Sequence, residues 1–343
     1  MKILIQSCVF SPSVGGTETA TRLLAIGLQD LGHEVKVITD TEGDSPYTRD
    51  LDVHRRPGTR EFLGLMRWCD VYVQSNISLR NLWPLLIYWR PWIIVHHTRY
   101  ETDVGPPTFL SKVKQACSSF ATNLTVSQYM ADHLRSPSVV VKNPYADDVF
   151  HPLPGVVRQR DLLVVGRLNE DKGFQIAIEA LYRLHQRGRS DVRMTLVGEG
   201  PHRDALQALA LRRSLEGAID FTGVKQPEDL ARAFNAHRIL IVPSLTSETF
   251  GLVAVEGMAC GCLVVGSDLG GLRETIGPCG LTFPAGDVVA LTGLIERLLE
   301  HPEALDPYLQ AAPQHLAQFY RGTIIPSYAD FFRQTLRRWK GEI

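Results

Sequence analysis

The segment from Ser247 to Gly271 reads SETFGLVAVEGMACGCLVVGSDLGG. Residues 239–244, which precede it, are short, apolar and β-branched, and they predict a buried strand. Residues 250–259 have the length of a helix, and Gly261 is placed to end that helix as a C′ glycine. Residues 263–266 predict another buried strand. The segment is therefore expected to form a strand–loop–helix–strand unit of an α/β sheet.

Two carboxylates flank the predicted start of the helix, Glu248 in the loop and Glu256 about two turns into the helix. The first amides of a helix suit a phosphate, and Gly251 allows a ligand to approach the backbone closely. At a rise of ~1.5 Å per residue, Glu248 and Glu256 lie at most roughly 12 Å apart, about the reach of a diphosphate with a sugar at each end. A helix with one solvated glutamate at each end is the alternative.

This glutamate spacing, with Phe250-Gly251-Leu252 inside it and Gly270-Gly271 after it, resembles the retaining nucleotide-sugar glycosyltransferases of family 4. The resemblance implies transfer of a sugar from a nucleoside-diphosphate sugar, linked to UDP or GDP, to an acceptor hydroxyl. It implies retention at the anomeric carbon, no cofactor and no required metal ion. The acceptor that it implies is a saccharide, a lipid-linked molecule or a small molecule.

Strand and helix patterns alternate along all 343 residues, which is enough chain for two domains. The resemblance implies the GT-B architecture, in which two Rossmann-like, doubly wound parallel-sheet domains face a cleft. We expect an acceptor-side domain at residues 1–152 and a donor domain at residues 153–320. Residues 321–343 are expected to form a helix that crosses back to the first domain.

A glycine pair, Gly15-Gly16, ends a turn-rich loop between a predicted strand and a predicted long helix. Glycines at a helix start suit a phosphate, although the segment is not G-x-G-x-x-G. The resemblance implies that this loop, S-P-x-x-G-G-x-E, faces the donor diphosphate and the acceptor. A tight turn without a ligand is the alternative.

Residues 92–96 predict a buried strand that runs into His96-His97-Thr98. Ligands bind beyond the carboxyl ends of parallel strands, and side chains alternate in direction, so only one of the two histidines faces a ligand easily. The H-T pair of the family aligns with His97. The resemblance implies a hydrogen bond from His97 to the donor sugar near the reacting carbon, and a structural histidine is the alternative.

Arg167 and Lys172 lie on one predicted loop in the pattern G-R-x4-K-G. A guanidinium offers a fork of donors and an ammonium a point charge, and together they suit a diphosphate. Within the resemblance, both cations stabilise the leaving diphosphate, together with the amides of the segment Thr249, Phe250, Gly251 and Leu252. A pair of solvated surface cations is the alternative reading.

The two glutamates also receive roles from the resemblance. Glu256 would anchor the ribose of the donor, and Glu248 would bind the transferred hexose. No side chain emerges as an obvious nucleophile, which agrees with the front-face mechanism proposed for the family.

Composition limits the partners. The net charge is −1, so nothing indicates a nucleic-acid partner. The six cysteines show no zinc spacing and are expected to be reduced core residues. The predicted first strand begins at Lys2 and no apolar run reaches roughly 18 residues, so we expect a cytoplasmic protein without a signal peptide or a membrane span.

Three segments of the first half bear on possible contacts with other molecules. Residues 79–89 predict an aromatic-rich helix that packs in the core, with peripheral membrane contact as the alternative. The loops at residues 58–67 and 99–107 are expected to select the acceptor.

Other functions remain open at this point. A nucleotide-sugar epimerase or phosphorylase of the same fold is one, and a non-catalytic nucleotide-sugar-binding protein is another. A dinucleotide-dependent dehydrogenase lacks support because G-x-G-x-x-G is absent.

Overall fold

The computed structural model describes residues 1–100 and 108–342. The strands are β1 (Lys2–Ser7), β2 (Glu34–Thr39), β3 (Asp52–Arg55), β4 (Val71–Ser75), β5 (Trp92–His96), β6 (Thr122–Thr125), β7 (Ser138–Val140), β8 (Arg160–Val165), β9 (Met194–Val197), β10 (Ile219–Phe221), β11 (His237–Val242), β12 (Leu263–Ser267) and β13 (Gly280–Phe283). The helices are α1 (Gly16–Asp30), α2 (Thr59–Trp68), α3 (Phe109–Ser118), α4 (Gln128–Asp132), α5 (Phe174–Gln186), α6 (Arg203–Arg212), α7 (Pro227–Ala236), α8 (Leu252–Ala259), α9 (Leu272–Ile276), α10 (Val288–Glu300), α11 (Asp306–Leu316) and α12 (Arg321–Lys340).

The chain divides into two compact units, Met1–Tyr145 with Phe319–Ile343, and Ala146–Gln318. The division therefore follows Tyr145, whereas the sequence places a boundary at residue 152. Residues 146–152 belong to the second unit because Phe150 packs edge-on against Phe234, with ring centroids 5.9 Å apart. The Asn235 amide also donates to the carbonyl oxygen of His151 at 3.0 Å.

The first unit contains a seven-stranded parallel sheet in the order β3-β2-β1-β4-β5-β6-β7. Its central strands are buried on both faces, as the continuous apolar runs Ile3–Ile5 and Ile93–Val95 show. The C-terminal helix α12 belongs to this unit and packs against α1, where a Cβ on Gly27 would lie 2.6 Å from Ile325. The glycine in α1 thus permits close contact between the two helices.

The second unit contains a six-stranded parallel sheet in the order β10-β9-β8-β11-β12-β13. Its core includes Leu162, Phe174, Ile241 and Val265, all at most 1% exposed. The helix predicted within the organising segment forms as α8, and it ends at Gly261 with φ of +84°. The amide of Gly261 donates to the carbonyl of Met258 at 2.9 Å, which satisfies one of the last carbonyls of the helix.

Two expectations about the first half are wrong. Residues 79–89 do not form a helix but two short 3-10 turns, Leu79–Asn81 and Trp83–Leu86, because Pro84 lacks an amide donor for a helical ladder. Residues 58–67 are not a loop but lie mostly in α2, whose apolar face buries Phe62, Leu65 and Met66. Of the other expected acceptor loop, residues 101–107 lie outside the described residues.

The aromatic segment after β4 is divided between core and surface. Trp83 packs edge-on against Phe62 with ring centroids 6.0 Å apart, whereas Leu86 and Trp89 are 86% and 60% exposed. Membrane contact by these exposed side chains stays a prediction. Among the described residues no helix is long and apolar enough to cross a bilayer.

Candidate functional site

The centre of the second sheet is a topological switch point. From β8 the chain continues to β9 on one side, and the neighbour of β8 on the other side is β11. Crevices beyond the carboxyl ends of two such strands are where doubly wound folds bind ligands. The loop after β8 carries Arg167 and Lys172, and the loop after β11 carries Glu248.

The structure brings Lys172 and Glu248 into direct contact. The Lys172 Nζ lies 2.5 Å from the Glu248 Oε1, and the side chains are 26% and 19% exposed. The same carboxylate oxygen accepts a second hydrogen bond from the Ser244 Oγ at 2.8 Å. Glu248 Oε2 makes no hydrogen bond with the described residues. The carboxylate is thus held through one oxygen, and its other oxygen remains available to a ligand hydroxyl.

Glycine–backbone contacts fix these loops against each other. Gly173 has φ of +68°, and a Cβ there would lie 1.9 Å from the carbonyl oxygen of Pro243. The amide of Leu245 donates to the carbonyl of Asp171 at 2.7 Å. The loop that carries Lys172 is therefore locked to the loop that carries Glu248 before any ligand arrives.

The Gly270-Gly271 pair fixes Glu248 from the other side. The amide of Gly271 donates to the Glu248 carbonyl at 2.6 Å. Gly270 has φ of +64°, and a Cβ there would lie 2.2 Å from the same carbonyl oxygen. The family-like glycine pair therefore allows the loop after β12 to approach the backbone of Glu248.

Helix α8 begins at Leu252, four residues after Glu248, and has no side-chain cap. Its N-cap is Gly251 with φ of +87°, a backbone conformation that favours glycine. Phe250 and Leu252 are buried at 4% and 8% exposure, so only their backbone can face a ligand. Thr249 precedes them in the same loop and is partly exposed. The first amides of α8 thus provide the positive end of the helix dipole near Glu248.

Glu256 lies in the fifth position of α8 and is 8% exposed. It is therefore not the solvated surface glutamate that the sequence alone leaves open. Burial of a carboxylate demands polar partners, which is consistent with a binding or structural role.

Arg167 differs from Lys172 in being solvent-exposed. Its side chain makes no hydrogen bond or ion pair with any residue in the described ranges. It follows Gly166 directly, and a Cβ on Gly198 would lie 1.8 Å from the Gly166 carbonyl oxygen. Gly198, in the loop after β9, thus allows close packing against the backbone that leads into the Arg167 loop.

The first sheet has its own switch point between β1 and β4, and the Gly15-Gly16 loop follows β1. Gly15 is the N-cap of α1, with an extended backbone at φ of 177°. The backbone conformation therefore does not demand glycine. A Cβ on Gly15 would lie 2.4 Å from the Glu18 carboxylate, so the absence of a side chain leaves room for that acid at the helix start.

The two histidines after β5 have different environments. His96 is fully buried, and its ring nitrogens contact the Tyr100 hydroxyl at 2.7 Å and the Asn123 Oδ1 at 2.9 Å. Burial lowers the pKa of His96 to about 4. Both ring nitrogens of His96 are engaged within the unit, so it is a structural histidine.

His97 is 5% exposed, and the side chain of Asn143 lies beside its ring. Burial, with a smaller contribution from His96, lowers the pKa of His97 to about 3, so the ring is neutral near pH 7. A neutral ring can donate or accept a hydrogen bond, and its lowered pKa makes it a weak proton acceptor near pH 7.

Asn76 is a positioning residue that sequence reasoning missed. Its Oδ1 accepts from the amides of His97 at 2.8 Å and Thr98 at 3.0 Å. It adopts φ of +64°, a conformation in which asparagine is enriched. In the sequence, Asn76 is visible only as an asparagine directly after a buried strand. That position does not predict hydrogen bonds to the amides of His97 and Thr98.

The structure thus places the expected residues in two groups. Lys172, Glu248, Arg167 and α8 belong to the second unit, whereas Gly15, Gly16 and His97 belong to the first. No group of three or more His, Cys, Asp or Glu side chains suited to a metal ion occurs in residues 1–100 or 108–342.

Comparisons with known proteins match both halves of the chain. The family model described as Glycosyltransferase Family 4 matches residues 14–144, and that described as Glycosyl transferases group 1 matches residues 159–301. A glycogen synthase from Mycobacterium tuberculosis is 35% identical over 92% of this chain and 90% of its own length.

Solved structures are similar over nearly the whole chain. A sucrose-phosphate synthase from Thermosynechococcus elongatus has a TM-score of 0.82 at 21% identity, over 97% of this chain and 98% of its own. HepE from Anabaena, solved in complex with UDP-glucose, has a TM-score of 0.81 at 20% identity, over 97% of this chain and 100% of its own. These likenesses show the GT-B fold expected from the sequence.

Proposed function

The chain belongs to glycosyltransferase family 4, and we propose that this glycosyltransferase moves a sugar from a UDP- or GDP-linked donor to an acceptor hydroxyl, with retention and without a metal ion. The observation that carries the proposal is the Lys172–Glu248 pair at the switch point between β8 and β11. UDP-glucose is the first donor to test, because the structurally similar HepE was solved with it.

Breaking the bond between the anomeric carbon and the diphosphate leaves an electron pair, and therefore negative charge, on the leaving oxygen. Lys172 and Arg167 lie on one loop and supply two positive charges. The uncapped amides of α8 add the positive end of a helix dipole. Such preorganised groups stabilise the transition state more than the ground state, since the charge develops as the bond breaks.

Glu248 is proposed to bind the transferred sugar. Lys172 and Ser244 both hold Oε1, which orients Oε2 to accept from a sugar hydroxyl. The Lys172 ammonium offsets the negative charge of Glu248, and this allows a carboxylate to lie beside an anionic leaving group. Glu256, further along α8, is proposed to accept from the ribose hydroxyls.

The acceptor oxygen is proposed to attack the anomeric carbon on the face from which the diphosphate departs. Its proton passes to an oxygen of the leaving diphosphate, so no enzymic nucleophile is needed. His97, neutral near pH 7, is proposed to hydrogen-bond the donor sugar near the reacting carbon. The acceptor class is a saccharide, a lipid-linked molecule or a small molecule.

The test is calorimetric titration of UDP and GDP, each with EDTA, into the wild type, Lys172→Ala and Lys225→Ala. Lys225 is the matched control, because it is a partly exposed lysine of the same unit without a hydrogen bond or ion pair to the described residues. Loss of a charge-assisted bond to phosphate is worth about 1.5–3 kcal/mol, so Lys172→Ala should bind at least tenfold more weakly. Equal affinity in all three proteins contradicts the proposed donor site.

A further inference from the structure

A pocket of about 400 Å³ lies in the first unit. Its lining includes Ile38, Asp40, Arg56, Phe62, Arg80 and Asn81, and we call it the β2–β4 pocket. This volume falls within the range of small-molecule sites. The mixture of two guanidiniums, a carboxylate, an amide and apolar side chains distinguishes it from a purely hydrophobic groove.

The β2–β4 pocket lies beyond the carboxyl ends of parallel strands. Asp40 directly follows β2, Arg56 directly follows β3, and Arg80 lies in the 3-10 turn after β4. Strand β1, which leads to the Gly15-Gly16 loop, lies between β2 and β4 in the sheet. The pocket therefore shares the ligand-binding edge of the sheet with the glycine loop.

Among the charged side chains of the pocket, Arg56 has an ion-pair partner in the described residues, whereas Arg80 and Asp40 have none. Arg56 forms an ion pair with Glu42, and its Nε donates to the Asp40 carbonyl at 3.0 Å. Arg80 is exposed and its side chain makes no ion pair or hydrogen bond within residues 1–100 and 108–342. The Asp40 carboxylate likewise has no ion pair in those ranges. Arg80 is thus a cation available to a ligand, and Asp40 an acceptor available to hydroxyls.

The wall formed by Arg56 carries backbone strain. Arg56 adopts φ of +49°, a region that residues with side chains seldom occupy. The conformation is held by a bond from the Arg56 amide to the Thr39 carbonyl at 2.8 Å, besides the bond to the Asp40 carbonyl. Strain of this kind persists where surrounding structure enforces it, and it clusters at binding sites.

We propose that the β2–β4 pocket binds the acceptor, and that the acceptor is a polyhydroxylated molecule bearing a phosphate or carboxylate group. Arg80 binds the anionic group by charge-assisted hydrogen bonds. The Asp40 carboxylate and the Asn81 Oδ1 accept hydrogen bonds from ligand hydroxyls. The Asn81 side chain is oriented by its Nδ2, which donates to the Ser78 Oγ at 3.0 Å. Phe62 provides an apolar surface for the C–H face of the ligand. The proposal rests on the proposed glycosyltransferase function and names its acceptor class.

The experiment is calorimetric titration of four probes into the wild type, Arg80→Ala and Arg338→Ala. The probes are glucose, glucose 6-phosphate, glucuronate and inorganic phosphate. Arg338 is the control, because it is an exposed arginine of the same unit outside the pocket, without an ion pair to the described residues. A preference for glucose 6-phosphate or for glucuronate identifies which anionic group Arg80 binds.

We expect at least one anionic sugar to bind the wild type and Arg338→Ala equally, and Arg80→Ala tenfold to a hundredfold more weakly. Glucose should bind weakly and to the same extent in all three proteins. The proposal is overturned if neither anionic sugar binds, if Arg80→Ala retains full affinity, or if phosphate alone binds as tightly as glucose 6-phosphate.

Titration of UDP into the same proteins separates this proposal from the proposed function. UDP should bind all three equally, because Arg80 belongs to the first unit and the proposed diphosphate cations to the second. A protein that binds an anionic sugar through Arg80 but not UDP contradicts the donor site and leaves the pocket standing. A protein that binds UDP and no anionic sugar contradicts the pocket alone.

Discussion

Replacement of Gly270 by alanine should impair catalysis through the backbone of Glu248. The new Cβ would lie 2.2 Å from the Glu248 carbonyl oxygen, and about 0.8 Å of movement is needed to reach even 3.0 Å. Because Gly271 also bonds that carbonyl, the movement displaces the loop that holds the carboxylate. A misplacement of about 1 Å in a catalytic site can lower a rate by roughly 10²-fold. We expect a comparable loss of UDP-glucose turnover in Gly270→Ala.

Gly286→Ala is the matched control. Gly286 has φ of +77°, similar to the +64° of Gly270, but its nearest neighbour would be Leu245 Cδ2 at an ordinary 3.7 Å. Both variants should lose about 1–2 kcal/mol of unfolding free energy from the left-handed backbone, measured by urea denaturation, and Gly270→Ala should lose more because of its contact with the Glu248 carbonyl. Only Gly270→Ala should lose the additional activity, measured as UDP release at a temperature where both are folded. Equal turnover in the two variants would refute the reasoning.

Three further predictions concern single groups. Glu256→Gln should weaken UDP binding about tenfold by calorimetry if Glu256 holds the ribose, and unchanged affinity would place the ribose elsewhere. Ser244→Ala removes one of the two hydrogen-bond donors to Glu248 Oε1. Turnover of UDP-glucose should therefore fall about tenfold while the affinity for UDP stays constant. A parallel loss of UDP affinity would contradict a role of Ser244 confined to the sugar. The pKa of His96 is about 4 in the folded state and 6.5 for the free side chain. Between pH 6.5 and pH 4 the unfolded chain therefore binds a proton at His96 that the folded protein does not bind. The unfolding free energy should fall as the pH drops through this range. Urea unfolding should show this slope in the wild type and a shallower one in His96→Gln, and identical slopes would exclude His96 as its source.

The local sequence pattern was enough to predict the strands and helices of the second unit, because these elements are regular. The buried strands β8, β11 and β12 are apolar runs bounded by turn residues, and α8 is ended by Gly261. The pairing of Lys172 with Glu248 could not be read from spacing, since 76 residues separate them. Their proximity follows from β8 and β11 being neighbours, which is a property of sheet order.

The first unit was predicted less accurately, and for one segment the deciding signal was already present in the sequence. The segment 79–89 looks helical by composition, yet Pro84 limits it to 3-10 turns. The amphipathic helix α2 was predicted to be part of an acceptor-selecting loop, and its buried apolar face shows that it packs in the core instead. The β2–β4 pocket was missed altogether, since its residues come from three strand ends and from α2.

The most direct test of the central claim is the stereochemistry of sugar transfer from UDP-glucose, followed by proton NMR in the presence of EDTA. We expect release of UDP with first formation of the α-anomer, since the donor is α-linked and retention preserves that configuration. Wild type and Lys225→Ala should turn over equally, and Lys172→Ala should be at least tenfold slower. First formation of the β-anomer would contradict retention. Turnover that requires added Mg²⁺, or that is unaffected in Lys172→Ala, would contradict stabilisation of the leaving diphosphate by the chain's own cations.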